Sequence, residues 1–155
     1  MKKIVLAIII VMMVAGIGYA DESSMGQLKV TVLNQDPDPV KAGQEVELRL
    51  QLENKGSEPV ENIQISLSET FPFSTGIGQD STIFIERLNS YSSGRNSRTI
   101  EIDISVDASA SNGVSYAEVF VDYTRGSSSS GPSKILLPVN IKAEDATLFI
   151  RQVSM

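Results

Sequence analysis

Two acidic residues alternate with two prolines at residues 36–39, where the sequence reads Asp-Pro-Asp-Pro. Calcium prefers clustered carboxylate oxygens, so Asp36 and Asp38 are candidate metal ligands. The spacing of the acids does not match an EF-hand loop, and proline is unsuited to a central strand because it lacks a backbone donor and has a fixed φ. We therefore predict that this segment bends the first strand, passes it from one sheet to another and protects its edge. Asp36 and Asp38 remain weak metal candidates.

The remaining polar residues do not indicate a catalytic site. The sequence has no histidine and no cysteine, so its serines lack the commonest activating base and no thiol can replace them. Ser133 and Lys134 are adjacent at the start of a strand pattern, and Glu45, Glu47 and Glu53 have the spacing of one solvated strand face. We predict that the protein is not an enzyme, has no catalytic residues and uses no cofactor.

Two phenylalanines lie close together in the segment Phe71-Pro72-Phe73-Ser74. If both side chains were exposed in a loop, they would form an apolar patch suited to contact with a partner. Large aromatic side chains more often bury most of their area, so we favour a loop that folds over one end of the protein. Phe71 and Phe73 are therefore a candidate interaction loop with a structural alternative.

Residues 1–20 have the layout of a secretory signal peptide. Lys2 and Lys3 precede an apolar run from Ile4 to Ile17, and small residues at 18–20 are followed at once by polar ones. The run is shorter than the about 20 apolar residues that span a membrane comfortably. We predict a cleaved signal and a secreted protein of the cell surface or envelope. The alternative is an uncleaved N-terminal anchor, which would be its only contact with the membrane.

The charge of the chain excludes one class of partner. The formal net charge is −6, and removal of residues 1–20, which contain two lysines and no acid, changes it to −8. Such a surface repels phosphate backbones, so we expect no nucleic-acid partner. Since the chain contains no cysteine, an exported form must be held together by its hydrophobic core and not by disulfides.

The elements that position these residues are strands. Apolar residues alternate with polar ones in seven segments, with turn residues between them, and the fourth segment is irregular enough to suggest an edge: 28–32, 45–53, 63–67, 83–88, 100–106, 117–123 and 135–141. In the longest alternation Leu50 should face the core and Arg49 the solvent. The pattern predicts an all-β fold, a seven-stranded immunoglobulin-like antiparallel β-sandwich preceded by the signal peptide. The cysteines and tryptophan of antibody domains are missing.

The segment VTVLNQDPDPVKAGQEVELRLQLENKGSEPVENIQISL, followed by FPFS, carries a family resemblance. It resembles the repeat domains of archaeal S-layer-like surface proteins, which are similar to CARDB cell-adhesion-related domains and other immunoglobulin-like modules. VSYAEVFVDYTRG and KILLPVNIKAED extend the resemblance more loosely, so that it covers residues 28 to about 145. It implies a non-catalytic β-sandwich, often in tandem, at the cell surface, with no catalytic residues to transfer. This chain is shorter than much of the family, with no second complete domain evident and no C-terminal membrane segment.

The predicted organisation is a signal peptide at 1–20, a short linker at 21–26, the sandwich at 27–143 and a tail at 144–155. The tail resembles the first strand in its pattern of apolar residues, and we predict that it opens an incomplete second repeat. The alternative is that it folds back as an eighth strand of the same sandwich. Two functions fit. The first is an S-layer-associated structural or adhesive module of the cell envelope, whose partners are other envelope proteins or further repeats. The alternative is a soluble extracellular module that recognises a ligand or protein through loops at one end of the sandwich.

Overall fold

The computed structural model describes the backbone of residues 22–25 and the whole of residues 27–143. The predicted signal peptide at 1–20 and the predicted tail strand at 144–155 lie outside the described residues, as do residues 21 and 26 of the predicted linker. Within the described ranges, no helix is long and apolar enough to cross a membrane.

The described residues form eleven strands and one short 3₁₀ turn at Tyr91–Ser93. The strands are β1 (Glu22–Met25), β2 (Leu28–Asp36), β3 (Val40–Lys41), β4 (Glu45–Asn54), β5 (Val60–Leu67), β6 (Phe73–Thr75), β7 (Thr82–Leu88), β8 (Ser97–Val106), β9 (Gly113–Arg125), β10 (Ser128–Ser129) and β11 (Ser133–Lys142). Each of the seven predicted segments lies within a strand. The additional strands β1, β3, β6 and β10 have two to four residues, too few for alternation to reveal them in the sequence.

The strands form two sheets. The first sheet has the order β1-β2-β4-β8-β6, and the second has the order β3-β11-β9-β5-β7, with β10 paired to β9. All pairs are antiparallel except β3 with β11. β7 lies at the edge of the second sheet, as its irregular sequence predicts. β6 is an edge strand of the first sheet, and the next strand in the chain, β7, is an edge strand of the second. The two edges are therefore neighbours on one side of the sandwich.

The two prolines lie where the chain changes sheets. β2 pairs with β4 in the first sheet, and after Pro37 and Pro39 the chain continues as β3, which pairs with β11 in the second. Gln35 fixes this crossing: its side-chain amide donates to the backbone oxygen of Asn140 at 2.9 Å and accepts from the backbone nitrogen of Asn140 at 2.9 Å. The amide thus imitates one peptide group of a neighbouring strand and occupies part of the β11 edge.

The core lies between the inward faces of the two sheets. Leu50 of β4 is 1% exposed, whereas the side chain of the next residue towards the N-terminus, Arg49, is 46% exposed. This is the assignment predicted from the alternation in the sequence. The largest fully buried side chains are Leu28, Leu48, Leu50, Leu52, Ile63, Ile85, Ile104, Ile135, Ile141, Val40, Val46 and Val60. They come from both sheets, and the core therefore joins the layers without any disulfide.

One fully buried polar side chain organises an end of the sandwich. Asn54, the last residue of β4, has no exposed surface. Its Nδ2 donates to the backbone oxygens of Glu58 and Asn89, both at 2.8 Å, and its Oδ1 accepts from the backbone nitrogen of Gly56 at 2.9 Å. Asn54 therefore ties the β4–β5 turn to the loop between β7 and β8, which belong to different sheets.

Candidate interaction surface

The solvent-facing side of the first sheet is polar. Along β4 the outward positions are Glu45, Glu47, Arg49, Gln51 and Glu53. Arg49 contacts Glu101 of β8 at 2.8 Å and Glu47 at 3.4 Å, all three side chains being well exposed. Ion pairs of this kind contribute little to stability but keep a surface soluble. This face has the polar composition that the sequence predicts for the solvent-exposed side of a strand.

The solvent-facing side of the second sheet is different. Its strands β9 and β11 place five apolar side chains outward, and we call this set the apolar face: Val114, Tyr116, Phe120, Leu136 and Pro138. Four of them are exposed large apolar residues, and Tyr116 is 53% exposed. Pro138 lies directly opposite Tyr116. Leu136, two residues earlier in β11, lies opposite Glu118 and therefore between Tyr116 and Phe120 of the neighbouring strand. Side chains in such positions touch across adjacent strands, so the five form one surface.

The charges within the apolar face largely cancel. Lys134 pairs with Phe120 across the strands, and its Nζ contacts Glu118 Oε1 at 2.9 Å. Glu118 itself lies opposite Leu136. Another exposed aromatic, Phe84 on β7, is separated from this face by polar residues of β5. The result is a patch that is apolar and locally near neutral on an otherwise acidic protein.

The apolar face was not identified from the sequence as a site. Its signal is present there: Phe120, Leu136 and Pro138 occupy positions opposite the core-facing residues of their strands, where charged residues are the norm. The two strands are separated by the serine-rich turn, and only their pairing brings Tyr116 and Pro138 together. Apolar residues at the outward positions of two adjacent strands are the pattern that could have predicted this surface.

The predicted interaction loop at Phe71 and Phe73 divides into two different environments. Phe73 begins β6 and is 3% exposed, packed within the core. Phe71, two residues earlier and before the strand, is 73% exposed. The backbone of Pro72 between them accepts a hydrogen bond from Asp107 at 2.8 Å, which fixes the loop to the end of β8. Only Phe71 offers a side-chain surface to a partner.

The weak metal candidates Asp36 and Asp38 do not form a ligand set. Asp38 Oδ1 accepts a hydrogen bond from Asn140 Nδ2 at 3.0 Å, so one of its oxygens takes part in the sheet crossing. Among residues 22–25 and 27–143, no group of three or more acidic, histidine or cysteine side chains is placed to hold a metal ion. Where the pKa of an acid is shifted, the cause is a turn: two hydrogen bonds from Ser109 lower the pKa of Asp107.

Comparison with known proteins identifies the fold. No family model matches the chain, and no curated protein matches it. The crystal structure of the yeast GGA1 GAE domain is similar, with a TM-score of 0.53 and 12% identity over 76% of this chain and 95% of that one. The GAE domain of GGA2p from Saccharomyces cerevisiae has a TM-score of 0.48 with 11% identity over 77% and 96% of the two chains. Spo0M, a sporulation control protein from Bacillus subtilis, has a TM-score of 0.42 with 12% identity over 77% and 51%.

At these identities the likeness concerns architecture and not activity. The similarity to the GGA1 GAE domain, together with the two sheets and their order, makes this chain an all-β immunoglobulin-like β-sandwich.

Proposed function

We propose that this protein is a non-catalytic structural or adhesive module of the cell envelope, which binds other envelope proteins or further repeats through its apolar face. The observation that carries the proposal is the exposure of Tyr116, Phe120 and Leu136 on two adjacent strands. A soluble protein gains nothing from such a surface when it is alone in water. Aromatic and aliphatic side chains grouped in this way are typical of protein contact surfaces.

The apolar face lies on a rigid part of the protein, which suits a stable contact with a partner. β9 pairs with β5 on one side and with β11 on the other, so its side chains are held by hydrogen-bonded neighbours and not by a flexible loop. A surface carried by rigid strands loses little conformational freedom when a partner covers it. The polar outer side of the first sheet would stay in water in the same assembly.

The envelope location rests on the sequence. The basic and apolar segment at 1–20 is typical of an export signal, and the resemblance to S-layer-like repeats points to the same compartment. The lack of histidine and cysteine removes the most common nucleophile and base pairs, which supports a binding role over catalysis.

The experiment compares two matched double variants in the producing cell. Tyr116→Glu with Leu136→Glu places two charges on the apolar face, and Thr31→Glu with Thr99→Glu places two on the outer side of the first sheet. If the proposal holds, the wild-type protein and the first-sheet variant remain with the envelope fraction, and the apolar-face variant is released in soluble, folded form. Equal retention of all three proteins, or recovery of the wild type from the cytosol, would refute it.

The second candidate function, recognition through loops at one end, is favoured by the exposure of Phe71. The matching variant is Phe71→Ser, which removes the aromatic surface and leaves the apolar face intact. Release of Phe71→Ser from the envelope, together with retention of the apolar-face variant, would select the loop-binding function.

A further inference from the structure

The second sheet ends at β7, and this edge differs from the other edges formed by the described strands. The first sheet ends at β1 and β6, which have four and three residues. At the other end of the second sheet, β3 has two residues, and the adjoining β11 contains Pro138 and is covered at Asn140 by Gln35. Short strands, prolines and covering side chains are the usual features that keep an edge from pairing with another chain.

β7 lacks these protective features. It has seven residues and contains neither proline nor lysine. Within the part of the chain that the structure describes, β5 is the one strand that pairs with it. A long edge strand of this kind can accept a further strand.

The backbone groups on the open side of β7 follow from its pairing with β5. The oxygen of Ser81 accepts a hydrogen bond from the nitrogen of Leu67 at 3.1 Å, so the odd-numbered residues of β7 point to β5. The oxygen of Leu88, on the opposite side, lies 3.5 Å from Asn54 Nδ2. Three residues therefore direct their N–H and C=O groups to the open side, where residues 27–143 supply no backbone partner: Thr82, Phe84 and Glu86.

This row of backbone groups matches a second copy of itself. In an antiparallel pair with Phe84 opposite Phe84 of the second copy, Thr82 lies opposite Glu86, and every open N–H and C=O group of the row has a partner. A shift by two residues in one direction places Glu86 opposite Asp80, a like charge. A shift by two in the other places Thr82 opposite Leu88, whose oxygen is already close to Asn54. Charge and backbone pairing therefore favour the register centred on Phe84.

The side chains support the same register. Phe84 is 71% exposed, and in this pair its ring meets the same ring of the second copy. On the inner side of the sheet, Ile83 lies beside Ile85 of the second copy, which covers the part of Ile83 that the monomer leaves exposed. Aromatic and β-branched pairs across neighbouring strands stabilise a sheet. The pairing thus buries apolar surface on both sides of β7.

From the unprotected edge, the row of open backbone groups and the side chains that this register brings together, we infer that two copies of this protein join through an antiparallel β7–β7 pair centred on Phe84. The twofold axis of such a pair is perpendicular to the sheet, so the outward sides of the two second sheets face the same way. The two apolar faces then lie on one side of the dimer, and a partner that contacts both is bound more tightly than by one. The inference does not depend on what the apolar face binds.

Single cysteines test the register, because the chain contains none of its own. In the inferred dimer the two Cα atoms at position 84 are about 5.5 Å apart, within the range of a disulfide. Those at position 86 are displaced by about 13 Å along the strands. Under mild oxidation, the full chain with Phe84→Cys should form a disulfide-linked dimer and the full chain with Glu86→Cys should not. Failure of Phe84→Cys to cross-link more than Glu86→Cys would overturn the inference.

Proline and charge variants, compared by analytical ultracentrifugation over a range of concentrations, test whether β7 is the contact. Phe84→Pro removes an N–H group that points away from β5, so it should abolish the dimer and keep the fold. Lys134→Pro is the matched control, because Lys134 lies on the open side of β11, in the same row as Asn140. Thr82→Glu places an acid opposite Glu86 and should weaken dimerisation roughly fivefold, and Thr82→Lys should strengthen it by a similar factor, since two such pairs form in each dimer.

Thr82→Glu keeps the test decisive if Phe84→Pro does not fold. A wild-type protein that is monomeric at every concentration would overturn the inference, as would a dimer that Thr82→Glu does not weaken. A dimer that is lost in Tyr116→Glu with Leu136→Glu but kept in Thr82→Glu would show that the copies meet through the apolar face, and it would overturn the inference as well.

Discussion

Replacing Asn54 by alanine should destabilise the whole sandwich, although the residue is polar and lies at a strand end. The substitution removes three hydrogen bonds of 2.8–2.9 Å, two donated by Nδ2 and one accepted by Oδ1. Each such bond has a net value of about 1 kcal/mol, and the partners left behind are part-buried and only partly rehydrated. We therefore expect the free energy of unfolding to fall by about 3–4 kcal/mol, a large part of a typical total of about 5–15 kcal/mol.

For a domain of this size, about 4 °C of melting temperature corresponds to 1 kcal/mol, so Asn54→Ala should melt about 10–15 °C below wild type. The assay is thermal unfolding followed by far-ultraviolet circular dichroism, with urea unfolding for the free energy. Asn34→Ala is the matched control, because Asn34 is exposed on β2 and should change the free energy of unfolding by less than about 0.5 kcal/mol. If Asn54→Ala melted within about 2 °C of wild type, the loops would not depend on this side chain and the reasoning would be refuted.

Three further outcomes follow from the packing. Leu50→Asp should unfold the domain in a urea titration, because a buried unpaired carboxylate costs several kcal/mol, whereas the exposed Arg49→Asp should cost about 1 kcal/mol or less; the reverse order would invert the faces of β4. Gln35→Ala should lower the free energy of unfolding by about 1–2 kcal/mol and increase aggregation measured by light scattering. A fully monomeric variant of unchanged stability would contradict the role of Gln35 in covering the β11 edge. The side-chain and backbone hydrogen bonds from Ser109 hold the folded-state pKa of Asp107 below its ordinary value, so these bonds stabilise the protein above the unfolded pKa and this contribution is lost as the pH falls through the folded pKa. Ser109→Ala should raise that pKa in a carbon NMR titration, and an unchanged value would exclude Ser109 as the cause.

The sequence predicts most of the framework because strand formation leaves a local signature. The seven long alternations correspond to seven long strands, and the inward position of Leu50 and outward position of Arg49 are confirmed. The bend at the two prolines is visible because proline restricts its own backbone wherever it occurs. These features depend on neighbours within a few residues.

The candidate site is less accessible to sequence reasoning. Phe71 and Phe73 are the same residue type, yet Phe71 is exposed and Phe73 belongs to the core. The reason is that only Phe73 lies in a strand, where its side chain points inward. Asn54 reads as an ordinary turn residue until the loop that contains Asn89 is placed against it.

Alternation in the amino-acid sequence thus determined which residues form the seven long strands and which side of each faces the core, because the two-residue period is a property of the extended backbone itself. The tertiary structure alone decided which strands are neighbours: that β3 joins β11 across the sheet crossing, that Tyr116 meets Pro138 to build the apolar face, and that the short β6 pairs with only residues 104–106 of β8. These pairings join residues far apart in the chain, and their stability comes from burial between whole elements, which no local pattern encodes.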